Sequence, residues 1–273
     1  MNQKRVRFLQ IYLVILVVLF AGPRLWHLAS TSPNQAKKNK ALFDAILRNN
    51  TAGVKAAINS GADVNAEMEG WSWTDFVHPM TAAMNGDIHI HLRDTPLLAS
   101  LDSLIPRAAP DAADKETGKI PVENLEIVKA LVEAGADINA RGTIGSTALD
   151  MAVEWRYNNT VNYLLTHKAD PNIADNGGMT PLHFIAMSGS AVMMENLLKH
   201  GAKVNATDIL GSTALDDAAR MSDSPTLDKK ALLLLQHGAD PNLRDNDGLT
   251  PLKRARANKS SALVQILLEH GAK

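Results

Sequence analysis

Gly135-Ala136-Asp137-Ile138-Asn139 is one copy of a phrase whose recurrence decides the fold. The other copies read Gly61-Ala62-Asp63-Val64-Asn65, Lys168-Ala169-Asp170-Pro171-Asn172, Gly201-Ala202-Lys203-Val204-Asn205, Gly238-Ala239-Asp240-Pro241-Asn242 and a short Gly271-Ala272-Lys273. Successive copies begin 74, 33, 33, 37 and 33 residues apart. A recurring period of this length marks a solenoid, in which each unit buries its apolar face only against its neighbours. It directs attention to a binding surface rather than a reaction centre.

A second phrase keeps step with the first: Thr95-Pro96-Leu97-Leu98, Thr147-Ala148-Leu149-Asp150, Thr180-Pro181-Leu182-His183, Thr213-Ala214-Leu215-Asp216 and Thr250-Pro251-Leu252-Lys253. A threonine hydroxyl can accept from the orphan amides of a first helical turn. Proline fits the next position, where its missing N–H costs nothing. Each phrase therefore predicts a helix start. The glycine of the first phrase predicts a helix stop, because it enters the left-handed region without a Cβ clash. Lys168 stands where the others have glycine, at an expected cost of roughly 1 kcal/mol. Between start and stop lie two short helices. The second carries an apolar stripe at i, i+3, i+4, shown by Val128, Leu131 and Val132, by Val161, Leu164 and Leu165, and by Met194, Leu197 and Leu198. Asp175-Asn176-Gly177-Gly178 and Asp245-Asn246-Asp247-Gly248 are turn chemistries suited to hairpins between units.

The stretch Thr180-Pro181-Leu182-His183-Phe184-Ile185-Ala186, followed by Gly201-Ala202-Lys203-Val204-Asn205-Ala206, resembles an ankyrin repeat, and five other segments align to it. Only this repeat carries the full Thr-Pro-Leu-His. The resemblance covers roughly residues 38–273, as repeats 38–66, 67–140, 141–173, 174–206, 207–243 and 244–273. It implies a mainly α fold, a curved solenoid of stacked helix-turn-helix pairs joined by short β-hairpin-like loops. It also implies that proteins are bound through the hairpin tips and the adjoining helix surface, and that His183 supports a hairpin-to-helix junction by hydrogen bonding.

The N-terminus has a different composition. Lys4, Arg5 and Arg7 precede an apolar run, and the 16 residues from Phe8 to Pro23 reach about 24 Å as a helix. Residues 1–28 are expected to form one hydrophobic helix, a signal anchor or a signal peptide. Small residues at both −3 and −1 of a cleavage site are hard to place, which favours an uncleaved single-pass membrane anchor; a secreted, cleaved form is the alternative. Basic residues flank the run on both sides. The early cluster followed at once by the apolar run reads as an export signal, with the repeats on the non-cytoplasmic side, the periplasm in a bacterium. Residues 29–37 read as a polar linker.

The 74-residue gap holds 41 residues beyond the period. One insertion falls in the hairpin, near 67–92, and the other between the two helices of the same repeat, near 102–121. The first carries Trp71, Trp73 and Phe76 in a chain only 4% aromatic. Tryptophan is enriched at interface hot spots, so this insertion reads either as a recognition loop or as a lid packed on its own repeats. His89 and His91, with His78 and Asp87 nearby, fall short of the convergent ligand set that zinc needs. The second insertion reads as a solvated loop. Ser222-Asp223-Ser224-Pro225 accounts for the 37-residue spacing as a lengthened turn.

Net charge is −1, so no basic field for nucleic acid exists. Lys253, Arg254, Arg256 and Lys259 read as the solvated face of a capping repeat. With no cysteine, disulfides and thiolate chemistry are excluded. No nucleophile elbow, phosphate loop or zincin motif occurs, and Asp216-Asp217, adjacent on a helix, point in different directions. The expectation is a non-enzyme with no cofactor, no metal and no small-molecule substrate. Its partner is an unidentified protein, met by Trp71, Trp73, Phe76, Ile144, Asn176, Ile209 and Asn246.

Overall fold

The computed structural model describes residues 32–67, 95–102, 123–142, 144–188, 190–220 and 225–273. Twelve helices occupy them: α1 (Pro33–Leu47), α2 (Thr51–Asn59), α3 (Pro96–Asp102), α4 (Leu125–Glu133), α5 (Ala148–Glu154), α6 (Asn158–Thr166), α7 (Pro181–Ser188), α8 (Ala191–Lys199), α9 (Ala214–Arg220), α10 (Pro225–Gln236), α11 (Pro251–Ala257) and α12 (Ser261–Glu269). They form six pairs. Each first helix packs on the first helices of neighbouring pairs and each second helix on the second helices, giving two helical layers. The apolar stripes meet between pairs: Val128, Leu131, Val161, Leu164, Met194, Leu197, Leu234 and Leu267 are all at most 1% exposed. Burial of each such side chain contributes about 1.5–3 kcal/mol. Leu268, the equivalent of Leu165 and Leu198, is 43% exposed, because among the described residues no helix packs beyond the sixth pair.

Four of the five residues in the recurring phrase make the bonds that hold it. The glycines take φ of 86–90°. With the following alanine they close each second helix in a Schellman motif, as when Gly135 N–H donates to Val132 O at 3.0 Å and Ala136 N–H to Leu131 O at 3.0 Å. Lys168 makes the same motif at φ 72°. The aspartate accepts from the asparagine amide two residues on, at 2.9 Å for Asp170 and Asn172.

The asparagine then reaches the next pair. Asn172 donates from Nδ2 to Gly201 O at 3.1 Å and accepts from Lys203 N–H at 2.7 Å. Asn205 and Asn242 repeat both bonds. Asn65 bridges to Gly135 and Asp137 in the same way, so the 41 surplus residues leave this ladder unbroken. At its near end, α1 supplies what a preceding pair would. Gln35 Nε2 donates to Gly61 O at 2.9 Å and Asn39 Oδ1 accepts from Asp63 N–H at 2.9 Å.

Two expectations change. Helix α1 begins at Pro33, inside the stretch expected as linker over 29–37, because Ser32 accepts from Gln35 N–H and proline suits the first turn. The extra residues before α10 do not simply lengthen a turn: α10 has 12 residues where α2, α4, α6, α8 and α12 have nine. Pro225 is tolerated at its first position, and the excess is mostly helical.

Candidate functional site

Among the described residues, the loops between the second and sixth pairs form a continuous row. Each is a turn closed by an amide three residues on and an amide–carbonyl bond across its base, as with Gly178 N–H to Asp175 O at 3.0 Å and Asp175 N–H to Met179 O at 2.9 Å. This is a type I turn followed by a left-handed residue. Asp175 Oδ1 reinforces it by accepting from Gly177 and Met179 N–H at 2.8 and 2.9 Å. Neighbouring tips are bonded to each other: Asn176 N–H to Ile144 O, Ile209 N–H to Gly177 O and Asn246 N–H to Leu210 O, at 2.9–3.0 Å. The approach is close enough to require glycine. A Cβ on Gly178 would lie 2.8 Å from Ile209 N, and its φ is 76°. Among the described residues the only ladder pairing is the isolated bridge Thr207–Thr213, so the loops are hairpin-like without forming strands.

Beneath the tips, the third residue after Thr147, Thr180 and Thr213 seals the junction. Thr180 N–H donates to His183 Nδ1 at 3.1 Å, so that nitrogen accepts and Nε2 carries the hydrogen toward Ser212 O, 3.2 Å away in the next pair. Burial holds this imidazole below the ordinary histidine range. The implied supporting role of His183 is thus the one its contacts describe. Asp150 and Asp216 occupy the same position. Asp150 Oδ2 accepts from the Thr147 amide and hydroxyl at 2.7 and 2.8 Å. Its Oδ1 is sealed from solvent without a partner, and burial pushes its pKa up to about 7. Leu98 at this position in the second pair leaves Thr95 Oγ1 without a partner.

The last two pairs share a charged cluster. Asp216 and Asp217 do point differently along α9, yet they are 0% and 3% exposed, which adjacent carboxylates on a helix did not suggest. Burial raises both pKa values, that of Asp217 to about 6. Arg254 is no part of a solvated face: it is paired with Asp245 Oδ2, and its Nε lies 3.8 Å from Asp216 Oδ1. Arg220 donates to Ser212 Oγ at 2.9 Å and lies 3.9 Å from Asp217. One functional-looking group escaped the sequence reading entirely. Lys230, 2% exposed, donates to Ile185 O and Ala186 O at the end of α7, at 3.0 and 2.6 Å, and burial lowers its pKa to about 8. Counting back from the Leu-Leu pair places it where Ile127, Thr160, Met193 and Leu263 stand, so register alone marks a lysine at a core position.

Comparison with known proteins now adds the family. A model described as ankyrin repeats, in three copies, matches residues 120–175 and 169–245. Residues 120–245 carry ankyrin repeats. An ankyrin repeat protein of Fowlpox virus (strain NVSL) is 33% identical over 153 residues, 54% of this chain and 44% of that protein. Neurogenic locus notch homolog protein 1 of Mus musculus is 34% identical over 128 residues, 46% of this chain and 5% of that protein. The chain thus spans less than half the length of either relative. The crystal structure of an ankyrin repeat domain from Acinetobacter baumannii AYE matches with a TM-score of 0.66 at 25% identity, covering 85% of this chain and 98% of that one.

On the ankyrin tips, Ile144 and Ile209 are 53% and 67% exposed, and Leu210, not singled out from sequence, is 53% exposed. Asn176 and Asn246 are exposed too, but the Asn246 side chain is engaged with Ile209 O at 3.0 Å. Trp71, Trp73, Phe76 and both insertions lie outside the described residues, as do His78, Asp87, His89, His91 and the N-terminal run. Among the described residues no cluster of three potential metal ligands occurs, and no helix is long and apolar enough to cross a membrane.

Proposed function

We propose that this chain is a non-catalytic protein-binding module that captures a protein on its tip row. The carrying observation is a set of large apolar side chains, Ile144, Ile209 and Leu210, held in solvent on tips that are already bonded to one another. Preorganised loops lose little freedom on binding, so more of the contact energy appears as affinity. Trp71, Trp73 and Phe76 from the 67–92 insertion extend the surface with aromatic anchors, and Asn176 and Asn246 supply its polar contacts. Residues 1–28 tether the module to a membrane, with the repeats on the non-cytoplasmic side. No cofactor, nucleic acid or small-molecule substrate takes part.

The test is site-specific photocrosslinking in the native host, with the photoreactive residue at Ile144, Ile209 or, as a control on the second-helix layer, Val192. One protein crosslinked from both tips and not from Val192 is the expected result; equal labelling from Val192 refutes tip capture. Deleting 67–92 is expected to leave helicity intact and abolish capture. The N-terminal peptide recovered in the same experiment separates an anchored chain from a cleaved one.

A further inference from the structure

Two carboxylates are buried near the bases of the tips; Asp150 caps Thr147 through Oδ2 alone, and those two bonds favour its charged form less than burial opposes it. Asp150 is 2% exposed and Asp217 3% exposed. Each keeps one oxygen, Oδ1 of Asp150 and Oδ2 of Asp217, sealed without any hydrogen-bond partner. An ionised carboxylate needs its lone pairs satisfied on both oxygens, whereas a protonated one bears a hydrogen and no net charge. The surrounding charges do not supply the missing compensation. Asp150 faces Asp175 on the next tip, which disfavours ionisation, and Arg141, which favours it less strongly than burial opposes it. Asp217 faces Asp208 and Asp216 as well as Arg220 and Arg254, and the nearer arginine is 3.9 Å away and 41% exposed.

We propose that the tip row is proton-gated: Asp150 and Asp217 sit beneath it as neutral acids, and their ionisation opens the contacts between neighbouring tips and weakens partner capture. The gate regulates the surface proposed above and its last consequence rests on that reading. The linkage has a definite sign. Burial raises both acids, so the closed row binds more protons than an opened row in which water reaches them, and closure is lost as pH rises through about 6 to 7. For Asp150, from about 7 closed to 3.8 solvated, opening becomes about tenfold more favourable between pH 6 and pH 8.

Hydrogen exchange of the full chain reads this without any partner. The reporting amides are Asn176, Ile209 and Asn246, each bonded to the preceding tip. Protection factors, corrected for intrinsic exchange, are expected to fall from pH 6 to pH 8 by about tenfold at Asn176, which reads Asp150, and about twofold at Ile209 and Asn246, which read Asp217, while that of Asp63, bonded to Asn39 far from the gate, stays level. In Asp150→Asn the fall at Asn176 is expected to vanish; an equal fall in that variant overturns the proposal, as does a flat profile in the natural chain. Carboxyl-carbon NMR of the natural chain needs no variant: midpoints for Asp150 and Asp217 below pH 5 also overturn it. Tip amides that respond without any crosslinked partner would refute tip capture and leave the gate standing. Crosslinking with unresponsive amides would do the reverse.

Discussion

Replacing Arg254 by methionine tests whether the charged cluster holds the last repeat to the stack. Arg254 is 14% exposed and lies between Asp245 and Asp216, whose side chains are 2% and 0% exposed. Each carboxylate already spends one oxygen on local amides. Asp216 Oδ2 accepts from the Thr213 amide and hydroxyl at 3.0 and 2.9 Å, and Asp245 Oδ1 from Asp247 and Leu249 N–H at 3.0 and 2.8 Å. Arg254 is the counter-charge nearest the other oxygens, and Arg220 acts on Asp216 from farther away. At 3.8 Å and an effective dielectric of about 20, the Asp216 attraction alone is about 4 kcal/mol. Breaking a buried pair by removing one partner costs about 3–5 kcal/mol. Methionine itself packs acceptably there, since Met151 holds the same position in the third repeat. The loss is therefore expected to be about 3–4 kcal/mol at pH 7. It should shrink as pH falls, because Asp216, already raised by burial, accepts a proton. Contacts between repeats are local, so the loss appears as opening of residues 244–273 before the rest unfolds. Native-state hydrogen exchange across α11 and α12 measures it. Adding Asp216→Asn and Asp245→Asn is expected to restore most of the protection. A loss under 1 kcal/mol at pH 7 would mean that solvent screens these charges, and the account of the cluster would be wrong.

Lys168→Gly is expected to stabilise the third repeat by about 1 kcal/mol, seen as a higher urea midpoint, because the φ of 72° suits glycine. Asn172→Ala removes both bonds to the fourth repeat and is expected to cost about 1–2 kcal/mol, whereas Asn172→Asp, which keeps the acceptor to Lys203 N–H, retains part of it. Stability of the natural chain should fall from pH 4 to pH 8, since the contribution of Asp150 and Asp217 is complete below about 4 and lost through 6 to 7. In Asp150→Asn the unfolding free energy from urea titration should lose up to about 4 kcal/mol of that dependence; an unchanged slope would contradict the burial of a neutral acid.

Local backbone rules made much of this chain readable. Threonine before Pro181 or Pro251 marks a helix start because capping is settled within one turn, and glycine marks a stop because only φ is at issue. The stripe of Val161, Leu164 and Leu165 is a helical period and needs no neighbour to be seen. The asparagine in each phrase was visible as a recurrence but had no legible role, because its partner lies about thirty residues away across a repeat interface. Lys230 was overlooked although the four surplus residues before it and its register on α10 held the signal. The exposed tips Ile144 and Ile209 followed from hairpin position, while Leu210 beside them was missed.

The amino-acid sequence by itself determined the repeat, its period, the ends of most helices and the place where 41 residues exceed the pattern. These depend on sterics and hydrogen bonding inside one repeat, which short windows of sequence contain. Only the stacked structure decided which polar groups are buried and what they meet: Arg254 against Asp216 and Asp245, Lys230 against the end of α7, and Asp150 with one oxygen left alone. Burial is set by the neighbouring repeat that covers a residue, and that neighbour is fixed by stacking register rather than by the residues on either side.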